Sequence, residues 1–226
     1  HRVAGAPVSD TTARAKAGRS GSSRKAMWIW IAVGVLVVVG MALGTRVVAA
    51  DDPLAQGAVE FDAETFGAET FPTVQSDIVA QAVEAQELAE AIAADPEAAA
   101  AEYAVESSGG PVFSVTFTGV VGEGQSGIYE VDVEGVPDDL LIRLQTGPAI
   151  NGTELRDATG EITFGQFTNQ IDYQNAGSAL NEEMKAAVLA DIDSEALTGE
   201  TITVTGAFTL INPESWLVTP VEVSVS

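Results

Sequence analysis

The stretch VFSVTFT, residues 112–118, decides the fold class, because from Phe113 onward its hydrophobic side chains occur at every second position. Phe113, Val115 and Phe117 alternate with one serine and two threonines. A period of two indicates a β-strand with one buried face. We therefore expect a sheet to begin at this point of the chain.

Four further strands and one helix are predicted after this stretch. The helix is indicated by apolar residues at helical spacing, namely Ala179, Leu180, Met184, Val188 and Ile192. Pro220 cannot donate a ladder hydrogen bond, so it is expected to mark the last strand as an edge strand. The strands follow alternating patterns near residues 112–118, 129–133, 140–144, 201–210 and 217–225.

The predicted order is three strands, a helix and two strands. Five strands with a helix between the third and the fourth are typical of an OB-like Greek-key barrel. The alternative is an open α+β sheet covered by the same helices. Short alternating strands with Gly-rich turns favour the barrel, because closure protects strand edges. The fold class is therefore α+β, with the OB-like β domain at residues 107–226.

A helical segment, residues 74–106, is predicted before the sheet. One apolar stripe indicates a helix, and its members are Ile78, Ala82, Ala85, Ala89 and Ile92. Asp95 is suited to cap a second short helix, and Pro96 to occupy its first position. The acidic residues 47–73 are predicted to form a stalk.

The first long apolar run lies at residues 26–44, AMWIWIAVGVLVVVGMALG, which are 19 residues without a charge. As a helix this run would be roughly 28 Å long, at about 1.5 Å per residue, which approaches the thickness of the hydrocarbon core of a bilayer. Trp28 and Trp30 stand near one end, where aromatic rings favour the headgroup layer. Residues 26–46 are therefore predicted to be a transmembrane signal anchor.

The charge distribution predicts the orientation of this anchor. The whole chain has a net charge of −23, but residues 1–25 contain six basic residues and one acid. Residues 47–226 contain 32 acids and three basic residues, a net charge of −29. The positive-inside rule then predicts a disordered cytoplasmic tail at residues 1–25 and an extracytoplasmic C-terminal part.

The apolar run has a second interpretation as the h-region of a cleaved signal peptide. Val48, Ala49 and Ala50 precede Asp51 and include the small residues that signal peptidase recognises. The run is longer than the usual h-region of about 7–15 residues, which favours a retained anchor.

The composition excludes several kinds of chemistry. The chain has no cysteine, and its one histidine is His1. Thiolate catalysis, disulfides, lipid attachment through cysteine and Cys-type metal sites are absent from this sequence, and Ser-His-Asp catalysis is not expected. Strong negative charge disfavours nucleic-acid binding. We expect a protein that is not an enzyme and that has no metal or cofactor.

Residues 142–173 concentrate the side chains able to bind a polar ligand. They read IRLQTGPAINGTELRDATGEITFGQFTNQIDY and contain two of the three basic residues that follow Arg46. Three short elements stand out: R-x-Q-x-G-P (Arg143, Gln145, Gly147, Pro148), L-R-D (Leu155, Arg156, Asp157) and F-x-N-Q-x-x-Y (Phe167, Asn169, Gln170, Tyr173).

This pattern resembles the DUF2291 family of predicted bacterial periplasmic lipoproteins. The resemblance covers most of the chain from the apolar run onward. It implies an extracytoplasmic, membrane-tethered domain without established activity, sometimes associated with sugar ABC-transporter genes. This chain departs from the lipoprotein pattern because it has no cysteine to carry a lipid. Its tether would therefore be the apolar run.

The polar stretch has two interpretations. It is either a site for a sugar or a small anion, or a structural network in which arginines neutralise nearby carboxylates. The corresponding functional hypotheses are an accessory or binding module beside a sugar uptake system, and a purely structural or protein-interaction domain of the envelope. An envelope hydrolase is a third hypothesis. The ligand-binding candidates are Arg143, Gln145, Asn151, Arg156, Asp157, Asn169, Gln170 and Tyr173.

Overall fold

A computed structural model describes residues 61–226. The predictions for residues 1–25 and 26–46, and for the first part of the stalk, lie outside the described residues. Between residues 61 and 226, no helix is both long and apolar enough to cross a bilayer.

The described residues form five α-helices and seven strands. The helices are α1 (Ala63–Gln81), α2 (Ala85–Ala94), α3 (Pro96–Tyr103), α4 (Glu154–Asp157) and α5 (Gln170–Met184), and α5 continues as a π-helical turn at Lys185–Leu189. Short 3₁₀ turns lie at Phe164–Gln166 and Ser194–Ala196. The strands are β1 (Val83–Glu84), β2 (Ala104–Ser107), β3 (Gly110–Gln125), β4 (Ile128–Asp132), β5 (Leu141–Gln145), β6 (Thr201–Thr209) and β7 (Ser215–Val225).

Five of these strands pair in a closed ring. β3 pairs with β4, β4 with β5, β5 with β7, β7 with β6, and β6 returns to β3. The β5–β7 pair is parallel, and the other four pairs are antiparallel. The β3–β6 ladder runs from Val112↔Thr209 to Val120↔Thr201, and an open sheet would lack it. The order along the chain, three strands followed by a helix and two strands, is the one predicted for an OB-like fold.

The strand faces that were predicted to be inward form the first core. Phe113, Val115 and Phe117 are fully buried, as the alternating pattern indicated. Phe208 stacks between Phe113 and Trp216, with ring centroids 5.5 Å and 4.6 Å apart. Helix α2 packs its buried apolar side chains against this core. The sheet therefore supplies the rigid frame on which the polar stretch is mounted.

A second core lies between the sheet and helices α1 and α5. It includes Phe71, Ile78, Leu155 and Leu180, which are buried together. The helices meet closely at Gly67, where a Cβ atom would lie 2.8 Å from the carbonyl oxygen of Ala179. Because this core also receives α4, it connects the polar stretch to both helices.

The N-terminal helix begins earlier than predicted. Asp62 caps it by accepting a hydrogen bond from the Thr65 amide at 2.8 Å, and α1 then runs through residues assigned to a stalk. Gly67 and Pro72 disfavour a helix in this segment, but Phe71 and Val74 are buried in the second core. Burial against distant parts of the chain therefore outweighs the weak local helix signal.

The predicted apolar stripe belongs to two helices rather than one. Ala82 is extended (φ −63°, ψ 131°), and β1 then pairs with β3 before α2 begins. The predicted cap of the following helix is confirmed, because Asp95 accepts hydrogen bonds from the amides of Glu97 and Ala98 at 3.0 and 3.1 Å. The end of the predicted helical segment is instead strand β2, which pairs with β3.

The prediction of an edge strand at Pro220 is wrong. β7 lies between β5 and β6, and Pro220 faces Gly206 where the β6–β7 register shifts. Gly206 has no side chain there, and a Cβ atom would collide with the Thr219 carbonyl oxygen. The proline is thus accommodated at an irregularity of the ladder.

Candidate functional site

The polar stretch runs from β5 through a loop and α4 to the start of α5. Its residues therefore lie on different elements, and their positions depend on the second core. Leu155, which is fully buried, fixes α4 against α5 and the sheet.

Arg156 and Asp157 form a buried ion pair. Nε of Arg156 donates to Oδ1 of Asp157 at 2.7 Å, and Nη2 donates to Oδ2 at 2.9 Å. The two residues are 4% and 6% exposed. Thr153 donates a further hydrogen bond to Oδ2 of Asp157 at 2.7 Å. A bidentate ion pair of this kind neutralises both charges. Few hydrogen-bonding groups of Arg156 or Asp157 are therefore free to bind a ligand.

Tyr173 completes this network from helix α5. The guanidinium carbon of Arg156 lies 3.7 Å from the centre of the Tyr173 ring, and Nη1 donates to the Tyr173 carbonyl oxygen at 3.2 Å. The phenol hydroxyl donates to Oδ1 of Asp157 at 3.4 Å. Burial raises the pKa of Tyr173, and the negative charge of Asp157 adds to the effect. The network thus joins α4 to α5.

The side chain of Gln145 bonds to the backbone of Asn151, whereas the Asn151 residue itself is exposed at the surface. Nε2 of Gln145 donates to the Asn151 carbonyl at 3.0 Å and to the Thr219 hydroxyl at 2.8 Å. Oε1 of Gln145 accepts from the Asn151 amide at 3.1 Å. Gln145 is 2% exposed, and its two hydrogen bonds to the Asn151 backbone fix the loop after β5.

Arg143 stands apart from this network. It is half-buried on β5 and donates through Nη2 to the Ser215 hydroxyl on β7 at 2.9 Å. Its Nε is buried without a hydrogen-bond partner in the described part of the chain. The two arginines of the stretch therefore do not share a partner in the described part of the chain.

Asn169 acts as the N-cap of α5. Its Oδ1 accepts from the amides of Ile171 and Asp172 at 2.8 and 3.0 Å, and its Nδ2 donates to the Asp172 carboxylate at 2.9 Å. Gln170 is exposed at the first position of the helix. Both candidates therefore lie at the surface, and the side chain of Asn169 is already hydrogen-bonded within the first turn of α5.

Sequence reasoning missed Glu154, which lies beside this network. The Thr209 hydroxyl donates to its Oε1 at 3.4 Å, whereas its Oε2 is buried without a partner among residues 61–226. Burial raises the pKa of Glu154, and the charge of Asp157 acts in the same direction. No sequence signal distinguishes this glutamate from the many exposed acids, because its burial depends on the strand that carries Thr209.

Sequence reasoning also missed an aromatic cluster that continues outward from Tyr173. Phe167 packs against Tyr173, with ring centroids 5.4 Å apart, and against Phe61 and Phe66 at 5.4 and 5.7 Å. Phe164 contacts the Tyr173 ring edge-on at 5.7 Å and is 50% exposed. We call these five rings the aromatic cluster. Phe61 and Phe66 lie outside the polar stretch, so only the fold brings them to it.

A groove of about 360 Å³ opens on the outer end of the aromatic cluster. Its walls carry the rings of Phe61, Phe66 and Phe167. Acidic and polar residues complete the lining, namely Asp62, Thr65, Glu69, Gln166, Thr168 and Asp172. We call this space the aromatic groove.

Comparison with known proteins identifies the fold. A solved OB-fold protein of Thermotoga maritima is similar with a TM-score of 0.58 and 19% sequence identity, over 74% of this chain and 99% of that one. No curated protein sequence matches. The sequence profile of DUF2291, described as a predicted periplasmic lipoprotein, matches residues 34–224. This chain therefore belongs to the DUF2291 family and contains an OB-like α+β domain.

Proposed function

We propose that this protein is a non-catalytic accessory module on the extracytoplasmic side of the cell membrane. Residues 26–46 hold it there in a single pass, and it acts beside a sugar ABC uptake system. The family's description supports the periplasmic location. The link to sugar uptake rests on the resemblance noted from the sequence.

The observation that carries a non-catalytic role is the closed hydrogen bonding of the polar stretch. Arg156, Asp157 and Tyr173 bond to one another, and Gln145 bonds to the backbone of its own loop. Such a network positions elements and has little capacity left for chemistry on a substrate. This favours a scaffold that works through its surface.

A role as a protein-interaction domain is the second candidate. Ile171 is 67% exposed and Phe164 is 50% exposed. Ile171 directly precedes Asp172 of the aromatic groove in sequence, and Phe164 belongs to the aromatic cluster. A hydrolase is not favoured, because Asp157, the carboxylate that interacts with Glu154, is engaged by Arg156. The two acids therefore do not present a free acid and base to a common cleft.

Sugar uptake in cells lacking this protein tests the proposal. We expect radiolabelled sugar uptake to fall when the gene is deleted, and to be restored by the full chain. A chain that begins after residue 46 and is exported by a cleaved signal peptide should not restore it, because it is not tethered. Unchanged uptake in the deletion strain would contradict the role in transport.

A reporter fusion tests the orientation. Alkaline phosphatase joined after Ser226 is active only outside the cytoplasm, so we expect activity from this fusion and none from a fusion before residue 26. The reverse result would contradict the predicted topology.

A further inference from the structure

The two ends of the aromatic cluster differ in whether a cationic side chain of the described residues lies there. At its inner end a guanidinium group, a carboxylate and a ring lie together: Arg156, Asp157 and Tyr173. At its outer end the aromatic groove has rings and carboxylates as well. The inner end thus shows within this molecule how the cluster accommodates a cation.

The outer end lacks a cation of its own within residues 61–226. The three basic residues in this range are engaged elsewhere: Arg156 with Asp157, Lys185 with Glu182, and Arg143 with Ser215. None of them lines the groove. Three carboxylates at the groove, Asp62, Glu69 and Asp172, therefore have no positive partner on the described surface.

We propose that the aromatic groove binds an organic cation, a primary ammonium or guanidinium group carried on a short alkyl body. The rings of Phe61, Phe66 and Phe167 would contact the alkyl part and the cation through their faces. The carboxylates of Asp62, Glu69 and Asp172 accept hydrogen bonds, so an N–H-bearing cation fits better than a quaternary one.

One carboxyl of the groove, that of Asp62, keeps its negative charge to a lower pH than an ordinary aspartate. The amide and hydroxyl of Thr65 donate hydrogen bonds to Asp62 and lower the pKa of its carboxyl. The described residues contain 29 acids and three basic residues, so their overall field also attracts cations. An anionic ligand such as a phosphate or a sugar acid would be repelled from the same place.

The size of the groove fits a small ligand. Its volume of about 360 Å³ lies within the range of small-molecule sites. Gln166 contributes little polar recognition, because its amide already bonds to the backbone of Thr163 and Glu161. Selectivity would therefore come from charge and aromatic contact rather than from many directional hydrogen bonds.

This inference goes beyond the proposed accessory function. A protein that supports sugar uptake need not bind a cation, and cation binding needs no transporter. The two proposals therefore fail separately, one in a transport assay and the other in a binding assay.

The test is calorimetric titration of the full chain in detergent with n-butylammonium and n-butylguanidinium chloride. We expect saturable binding, and no comparable binding of n-butanol, which has the same alkyl body without charge. Sodium chloride at matched ionic strength serves as the blank. Glu69→Gln should weaken binding about threefold, since it removes one groove carboxylate without disturbing a buried contact.

Two further variants make the result specific. Glu90→Gln, an exposed helical glutamate on α2 away from the groove, should leave binding unchanged. Phe167→Leu keeps an apolar side chain but removes a ring, and should weaken binding about two- to fivefold. Equal weakening by Glu69→Gln and Glu90→Gln, or equal binding of n-butanol, would overturn the proposal. Equal butanol binding would instead indicate a general apolar docking face.

Discussion

At the residue scale, the decisive feature is that two neighbours in sequence, Arg156 and Asp157, are each other's main partner. The pair is buried, and Thr153 and Tyr173 donate the remaining hydrogen bonds to the carboxylate. A buried carboxylate without its cation is costly, because the protein interior solvates charge poorly. The main expected role of Arg156 is therefore to stabilise the fold rather than to bind a ligand.

We expect Arg156→Gln to lower the free energy of unfolding by about 3–5 kcal/mol, because Asp157 is left buried and unpaired. Urea unfolding of the full chain in detergent measures this. Lys185→Gln is the control, since its pair with Glu182 is at the surface and should contribute less than about 0.5 kcal/mol. Similar small losses in both variants would show that the buried pair does not stabilise the fold.

The raised pKa of Glu154 predicts how the free energy of unfolding changes with pH. Burial raises the pKa of its carboxyl in the folded protein. Its contribution to the free energy of unfolding is therefore fully present below the unfolded-state pKa and is lost as the pH rises through the folded-state pKa. We expect wild type to lose stability over that interval relative to Glu154→Gln, in urea titrations from about pH 4 to about pH 8. A difference between the two proteins that stays constant with pH would contradict this.

At the scale of elements, the contact between α1 and α5 depends on Gly67. A Cβ atom there would lie 2.8 Å from the Ala179 carbonyl, which belongs to the backbone of the facing helix and cannot move aside alone. Gly177, on α5, would place a Cβ no closer than 3.6 Å to a neighbour. The close approach of the two helices therefore requires a glycine at position 67, whereas no close contact requires one at position 177.

We expect Gly67→Ala to destabilise the protein by about 1–3 kcal/mol, because the helices must separate. Gly177→Ala should be neutral or stabilising by up to about 1 kcal/mol, since alanine favours the helix. Thermal unfolding of both variants measures the contrast. If Gly67→Ala is as stable as Gly177→Ala, the close approach of the helices is not as described.

The elements also show how far the sequence could predict this fold. The strands were recognisable because period-two alternation reflects one buried face, and Phe113, Val115 and Phe117 are buried as expected. The start of α1 was not recognisable, because Phe71 is buried in a core with residues that are distant in sequence, such as Leu155 and Leu180. The sequence could predict which residue types form the site, but it could not predict which groups these residues would contact. Whether Arg156 meets a ligand or Asp157 depends on how α4 packs.

At the scale of the whole molecule, the described residues combine 29 acids with three basic residues. Like charges at this density repel one another, and unfolding relieves the repulsion by separating them. Salt shortens the range of the interaction, to about 10 Å at 0.1 M ionic strength. Stability should therefore depend on salt more than in a protein of balanced charge.

We expect the melting temperature of the full chain to rise when sodium chloride is increased from about 10 mM to about 500 mM at neutral pH, because salt screens repulsion between acids. Differential scanning calorimetry in an uncharged detergent measures the change. An unchanged or lower melting temperature would indicate that the acids are spaced too widely to repel one another.

The ladder between β3 and β6 has a consequence for how the chain is made. Thr118 and Thr203, whose hydroxyls lie 2.8 Å apart across this ladder, are 85 residues apart in sequence. At roughly 5–20 residues per second of synthesis, β3 emerges roughly 4–17 s before its partner strand. During that interval a long apolar strand has an unprotected edge, so a nascent chain held back during export is exposed to mispairing until β6 arrives.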